Sequence, residues 1–399
     1  MLTTSEIHKK SIALLIIGII FISSTLRAPL TAVGPIISYI RDGLDISNVL
    51  AGFITTIPLL AFAIVSPFAP RVARRYGMEM TLFLAILLLA FGIAIRSTGT
   101  PFFLLFGTAL IGIAIAFGNV LIPSFIKLKF PLQIGLLTGI FTVSMNLSAG
   151  IGAGISYPIA EGSFLGWQGA LGIWSILAVI ACLVWVPQIK QRQQIVPNVP
   201  DTNPIKAKSI LKSPLTWTIT LCMGFQSLIF YTTAAWIPEI LQTQGMEAGK
   251  SGWMLSTMQF SQLPMTFLIP ILAGRMKDQR ILVAVFSICY LIGFIGLLYG
   301  SLSLAILWMV FLGLGGGASF GLVMMFFSLR SRTPMEAADL SGVAQSIGYL
   351  LAAVGPVFFG FVHDTTGSWD TPILLFIVTV ILLFFAGVHA GRDRFVSEG

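Results

Sequence analysis

Twelve times along this chain a stretch of about 20 or more residues runs with almost no charge, and this recurrence limits the possible folds more than any single motif. A run of that length, at about 1.5 Å per residue, crosses roughly 30 Å of hydrocarbon as a helix. Backbone N–H and C=O groups placed in lipid must find their partners within the chain, and a helix provides them. Composition agrees. The 399 residues are 56% hydrophobic and 10% charged, with mean hydropathy +0.95. Soluble domains carry about 25% charged residues, so the chain reads as an integral membrane protein. Its first apolar run, from Ser11 to about Ile40, is too long for a cleaved signal peptide and is read as a retained span.

Charge, proline and glycine divide the sequence into expected spans at 11–40, 47–70, 78–97, 101–126, 132–160, 166–187, 214–241, 249–273, 280–300, 302–328, 337–362 and 371–390. The one long polar insertion, Gln188 to Ser213, reads as a linker between two halves. The expected organisation is therefore an N-terminal six-helix bundle (1–187), a cytoplasmic linker (188–213) and a C-terminal six-helix bundle (214–399). Of the 23 Lys and Arg residues, 19 fall on the side that holds both termini and the linker; Arg41, Arg96 and Lys250 fall on the other side. Basic residues mark the cytoplasmic face, so both termini are expected in the cytoplasm of a multi-pass protein of the cell membrane. The same distribution explains a formal charge of +8 without a nucleic-acid partner.

Sliding the chain against itself by 203 residues aligns landmarks in order and without a gap. Pro35 meets Pro238, Pro67 meets Pro270, Gly118 meets Gly321, and "KLKFP" from Lys127 meets "RSRTP" from Arg330. Single Gly or Pro matches are cheap in a chain with 40 Gly and 20 Pro, but a constant offset held over about 100 residues is not. Two parallel repeats of six spans are a transporter organisation. The fold class is thus an all-α membrane protein with twelve transmembrane helices in two parallel six-helix repeats.

Four stretches are more specific: "LRAPLTAVGP" from Leu26, "GFQSLIFYTTAAWIPEIL" from Gly224, "LRSRTPMEAADLSGVAQSIGYLLAAVGP" from Leu329 and "HDTTGSW" from His363. Together they resemble the cyanate / 2-nitroimidazole transporter family of the major facilitator superfamily, over the whole chain. The resemblance implies the major facilitator fold, alternating access, and transport of small anions or small polar nitrogen compounds. It also carries the span-1 arginine over as Arg27. The superfamily's Gly-x-x-x-Asp-Arg-x-Gly-Arg-like signature would fall at "PFAPRVARRYG" and "LAGRMKDQR", the first of which has no Asp. These clusters suggest gating roles for Arg71, Arg74, Arg75, Arg275, Lys277 and Asp278; plain topogenic charges are the alternative.

Arg27 lies 17 residues from Lys10 and 14 from Arg41, near mid-membrane. Translocon scales put a central arginine at about +2.5 to +3.5 kcal/mol, so such a residue is a functional-site hypothesis. All 15 Asp and Glu fall in loops or at span ends, with Glu79, Glu161, Glu239 and Asp339 the nearest to hydrocarbon, so no carboxylate is expected at this depth. A planar guanidinium suits a flat anion such as cyanate, nitrate or a carboxylate. Beside it on the helix lie Ser23, Ser24, Thr31 and Gly34.

Polar stripes suggest the other walls of an aqueous cavity. Span 5 has Thr138, Thr142 and Asn146 four residues apart, and under the offset these meet Ser341, Gln345 and Tyr349. Asn119, Gln226, Tyr231, Trp236, Gln259 and Gln262 complete the candidate substrate-binding set, each with an ordinary inter-helix hydrogen bond as its alternative role. The clusters "GIGAG" and "GLGGGASFG" lie within spans and lack a following Lys-Ser/Thr, so they read as packing surfaces.

No catalytic constellation appears and the chain is not read as an enzyme. Cys182, Cys222 and Cys289 stand alone in apolar segments, and neither a metal nor a cofactor is expected. The three histidines, His8, His363 and His389, sit near span ends, which favours facilitated diffusion, export or exchange over coupling through an embedded acid. The expected partners are the lipid bilayer and a small, anionic substrate, bound by a monomer. A multidrug or metabolite exporter remains the alternative, since 31 Phe and 14 Met would furnish a promiscuous pocket.

Overall fold

A computed structural model of the chain describes residues 4–46, 48–190 and 210–398. Most of the linker expected at 188–213 lies outside the described residues. The helices are α1 (Thr4–Thr25), α2 (Ala28–Thr31), α3 (Ile37–Leu44), α4 (Asn48–Val65), α5 (Ala69–Tyr76), α6 (Met78–Arg96), α7 (Pro101–Lys129), α8 (Ile134–Gly162), α9 (Gly166–Gly172) and α10 (Trp174–Lys190). They continue with α11 (Pro214–Thr243), α12 (Ala248–Arg275), α13 (Arg280–Tyr299), α14 (Ala305–Leu329), α15 (Pro334–Thr366) and α16 (Asp370–Ala390). Ten segments among the described residues are long and apolar enough to cross a membrane, and α11 and α12, at 30 and 28 residues, have the length to do so. The protein is an all-helical, multi-pass membrane protein.

Local chemistry sets the helix ends. Thr333 caps α15 by accepting from the Glu336 amide at 3.1 Å, Pro334 opens the first turn, and Gly367 ends the helix in the left-handed region at φ +67°. Pro58, Pro123, Pro158, Pro238 and Pro356 lie inside helices that nonetheless continue past them.

The first span behaves differently from the single helix expected over 11–40. α1 stops at Thr25, α2 is one turn long, and a 3-10 turn at Gly34–Ile36 precedes α3. Two prolines account for this. A proline ring clashes with the carbonyl four residues earlier. For Pro29 that residue is Thr25, and for Pro35 it is Thr31, the residues at which α1 and α2 end.

The residues group into two compact units: Met1–Phe125 with Ile140–Thr202, and Ile126–Gly139 with Asn203–Gly399. In the first, Trp185 is fully buried against Phe125 at 5.3 Å, and its indole N–H donates to the Glu79 carbonyl at 2.9 Å. In the second, Phe294 stacks on Phe376 at 4.7 Å, and Phe359 packs on Phe376 with tilted rings at 4.5 Å. Large apolar side chains such as Ile64, Phe102, Leu183, Ile306, Val357 and Phe385 are exposed, as lipid-facing positions require.

Candidate functional site

In the first unit the site is built on the broken span. Arg27 follows the end of α1 and precedes α2, with φ −124° and ψ −38°, outside helical geometry. It is half-buried, and its Nη1 donates to Oδ1 of Asn146 on α8. One turn further along, Thr31 donates its hydroxyl to the Ala149 carbonyl at 2.9 Å. The helices come this close because α8 presents Gly152, where a Cβ would lie 3.0 Å from both the Ala28 carbonyl oxygen and Thr31 Oγ1. Asn146 is a neutral amide, so its bond orients the guanidinium without neutralising it. Thr142, one turn before it, is fully buried, and Asn119 on α7 is 6% exposed.

In the second unit the corresponding surfaces are neutral. Tyr231 and Tyr349 meet edge to face with centroids 6.4 Å apart, and Phe230 packs on Tyr231 at 5.1 Å. Gln345 is fully buried and donates to Ser341 one turn earlier on α15 at 2.8 Å, so this pair lies in the packed interior and not on the open cavity face expected of the stripe. Gln262 donates to Gln259 along α12. Gln226 is buried, with its amide donating to Ser227 at 2.6 Å. Trp236 donates its indole N–H to the Pro356 carbonyl at 2.8 Å and packs on Trp369 at 5.1 Å, contacts that hold α11, α15 and α16 together.

The clusters assigned to gating are exposed or half-buried. Arg71 lies over Phe68 and Arg75 over Tyr76, Arg74 is also exposed, and Arg275 and Lys277 are exposed. Asp278 pairs with Arg280 at 2.6 Å, and the hydrogen bonds from Arg280 hold its carboxyl below the usual range. The buried contacts at this end of the second unit belong to residues read from the sequence only as topogenic or not singled out. Arg330, 2% exposed, donates to the Ala390 and Gly391 carbonyls at 2.8 and 2.9 Å and to Gln279 Oε1. Its repeat counterpart Lys127 donates to the Ser328 carbonyl at 2.7 Å and to Ser331 Oγ at 3.0 Å. The alignment of "KLKFP" with "RSRTP" was the available signal. Arg96 also departs from its expected place as a charge on the outer face: it is fully buried and donates to the Pro29 carbonyl at 2.7 Å.

Among the described residues no group of three or more His, Cys, Asp or Glu could hold a metal ion, and Cys182, Cys222 and Cys289 are free. The first unit offers a cation, hydroxyls and amides, and the second offers amides and rings; each set is binding chemistry.

Residues 13–356 match the family model described as Major Facilitator Superfamily. The chain belongs to this superfamily. It is 47% identical over 385 residues to the Bacillus subtilis (strain 168) transporter YycB, covering 96% of this chain and 95% of that one. It is 38% identical over 394 residues to the 2-nitroimidazole transporter of Escherichia coli (strain K12), covering 99% of both. To the cyanate transport protein CynX of the same organism it is 26% identical over 356 residues, covering 89% and 91%. These similarities make it a member of the CynX and 2-nitroimidazole transporter group: a transporter of small molecules, not an enzyme. Its fold is similar to that of the proton:xylose symporter XylE, with TM-score 0.75 at 13% identity over 97% of this chain and 98% of that one.

Proposed function

We propose that this major facilitator protein moves a small anion or small polar nitrogen compound, cyanate-, nitrate- or carboxylate-like, by alternating access, and that Arg27 is its central recognition residue. The observation behind this reading is the pairing of Arg27 with Asn146 at the break in the first span. There, a neutral amide fixes the direction of a guanidinium whose planar donors suit a small anion. Two relatives transport, by name, 2-nitroimidazole and cyanate, both small, planar or linear nitrogen compounds. Thr31, Thr142 and Asn146 would orient the passenger in the first repeat, and Gln259, Gln262, Gln345, Tyr231 and Tyr349 in the second. The bias of Lys and Arg sets both termini in the cytoplasm.

The test is binding and counterflow with purified protein in liposomes, using cyanate, nitrate, nitrite, small carboxylates and 2-nitroimidazole, with lipophilic cations as the contrasting set. Arg27→Gln should weaken anion binding by about 30-fold or more, the scale for removing one partner of a buried charged contact. Arg27→Lys should lose about tenfold although charge is kept, because a point charge replaces a planar fork. Wild-type affinity in Arg27→Gln, or a preference for lipophilic cations, would sink the proposal.

A further inference from the structure

The site described above uses one arginine of the first repeat; a second lies beneath the same break. Arg96 ends α6 with 0% exposure, and Nη1 is 2.7 Å from the Pro29 carbonyl oxygen. Its Nε and Nη2 are buried and find no hydrogen-bond partner among the described residues. One bond is a poor return for burying a guanidinium inside a membrane protein, and such a residue invites a functional explanation.

The backbone of the break supplies one. In an unbroken helix the Pro29 carbonyl would accept from the Val33 amide. Here the Val33 amide turns to the Leu30 carbonyl at 3.3 Å, in the tighter 3-10 pattern. The Pro29 carbonyl is thereby released from the helical ladder at a depth where an unsatisfied carbonyl costs several kcal/mol. Arg96 satisfies it. Two residues away is Arg27, whose own carbonyl accepts from the Leu30 and Thr31 amides at 3.0 and 3.1 Å. A displacement of Pro29 is therefore passed directly to the residue that would meet the substrate.

Arg96 itself has a rigid foothold. A Cβ on Gly107 of α7 would lie 2.6 Å from the Arg96 amide nitrogen and 2.8 Å from its Cα, so α6 and α7 are in backbone contact at this point. With its base fixed, the side chain serves as a strut of set length. We infer that Arg96 is a positioning residue: it braces the Pro29 carbonyl, fixes the geometry of the break and so aims Arg27. Its role in substrate binding rests on the function proposed for Arg27; its role in holding the break does not.

Arg96→Met removes the brace and the charge. Arg96→Lys keeps the charge, but its shorter, differently directed ammonium comes off Pro29. The first readout needs no ligand: amide hydrogen exchange, by mass spectrometry, of peptides spanning 26–36 in the detergent-purified protein. Both variants should exchange there at least about tenfold faster than wild type, with peptides of the second repeat unchanged. Wild-type exchange in the variants overturns the inference, and where Arg96→Met does not fold, Arg96→Lys decides.

The second readout is cyanate and 2-nitroimidazole binding and counterflow. Both variants should raise KM about tenfold, the effect of losing a hydrogen bond to a charged group, with the maximal rate nearly kept. A merely structural lesion would instead reduce the maximal rate through loss of active molecules. In the Arg27→Gln background, adding Arg96→Met should cost less than about a further twofold, because the strut acts through Arg27. Fully additive losses overturn the positioning role. If Arg27→Gln binds both probes as wild type does, the functional proposal fails while the exchange result still judges the brace.

Discussion

The two repeats place quite different chemistry at equivalent positions. Under the 203-residue offset, Arg27 corresponds to Phe230, Pro29 to Thr232, Arg96 to Tyr299 and Asn146 to Tyr349. In the first repeat these positions form a broken helix, a guanidinium–amide pair and a buried strut. In the second, α11 runs unbroken from Pro214 to Thr243, Phe230 and Tyr349 both pack near the Tyr231 ring, and Tyr299 is exposed. A glycine nonetheless admits the first helix of each repeat. Gly152 admits Ala28 and Thr31, and its counterpart Gly355 admits Leu228 and Thr232, which the offset pairs with Thr25 and Pro29. Packing positions retain the duplicated pattern, whereas the polar features at the break have diverged. That divergence supports the proposal that charge recognition falls to the first repeat and neutral, ring-based contacts to the second.

The comparison breaks most directly at Asn146. Asn146→Asp would put a carboxylate where a neutral amide now accepts from Arg27, and the resulting ion pair would cancel the cation. Anion affinity should fall about as far as in Arg27→Gln, some 30-fold or more, while thermal stability is kept or improved. Isothermal titration with cyanate or nitrate, beside a melting curve, checks both halves. Undiminished anion binding in this variant would mean that the charge of Arg27 is not what the site uses.

Pro29 sharpens the contrast in backbone terms. Pro29→Ala returns an N–H to the ladder and removes the ring from the Thr25 carbonyl, and an interior proline costs a helix about 3 kcal/mol. The variant should melt higher than wild type yet bind anions about tenfold more weakly, because Arg27 is re-aimed as the first span becomes more like α11. Helical hydrogen-exchange protection across 25–33 would show the change directly. A gain in stability with no loss of binding would separate the break from recognition.

The contrast also shows what a sequence can reveal. The spans, the duplication and the candidate cation are all visible in it, because hydropathy, constant spacing and a lone charge are local signals. Of the break, only the prolines were visible. Both Pro29 and Pro35 stand in the first span, yet Pro58, Pro238 and Pro356 stand in helices that remain intact, so a proline alone does not distinguish a kink from a rupture. Arg96 and Arg330 were hidden for another reason. Each sits at the end of an apolar run, where a solvated topogenic charge and a buried one read identically. Only the freed carbonyl of Pro29, and the carbonyls of Ala390 and Gly391, reveal their roles, and backbone acceptors leave no trace in side-chain identity.

The smallest expected effect tests the same contrast at one hydroxyl. Thr31 donates to the Ala149 carbonyl at 2.9 Å and ties the one-turn helix α2 to α8; its counterpart in the second repeat is Ala234, which has no hydroxyl to donate. Thr31→Val keeps the shape and removes the donor. Hydrogen bonds between helices in membranes average about 0.6 kcal/mol, so anion affinity should fall about threefold if the tie helps to hold Arg27 on target. Ala234→Thr, the reciprocal change, should leave anion affinity within about twofold of wild type, since the unbroken α11 has no short helix to anchor. Equal effects from the two substitutions would place the hydroxyl among generic packing contacts and remove Thr31 from the recognition site.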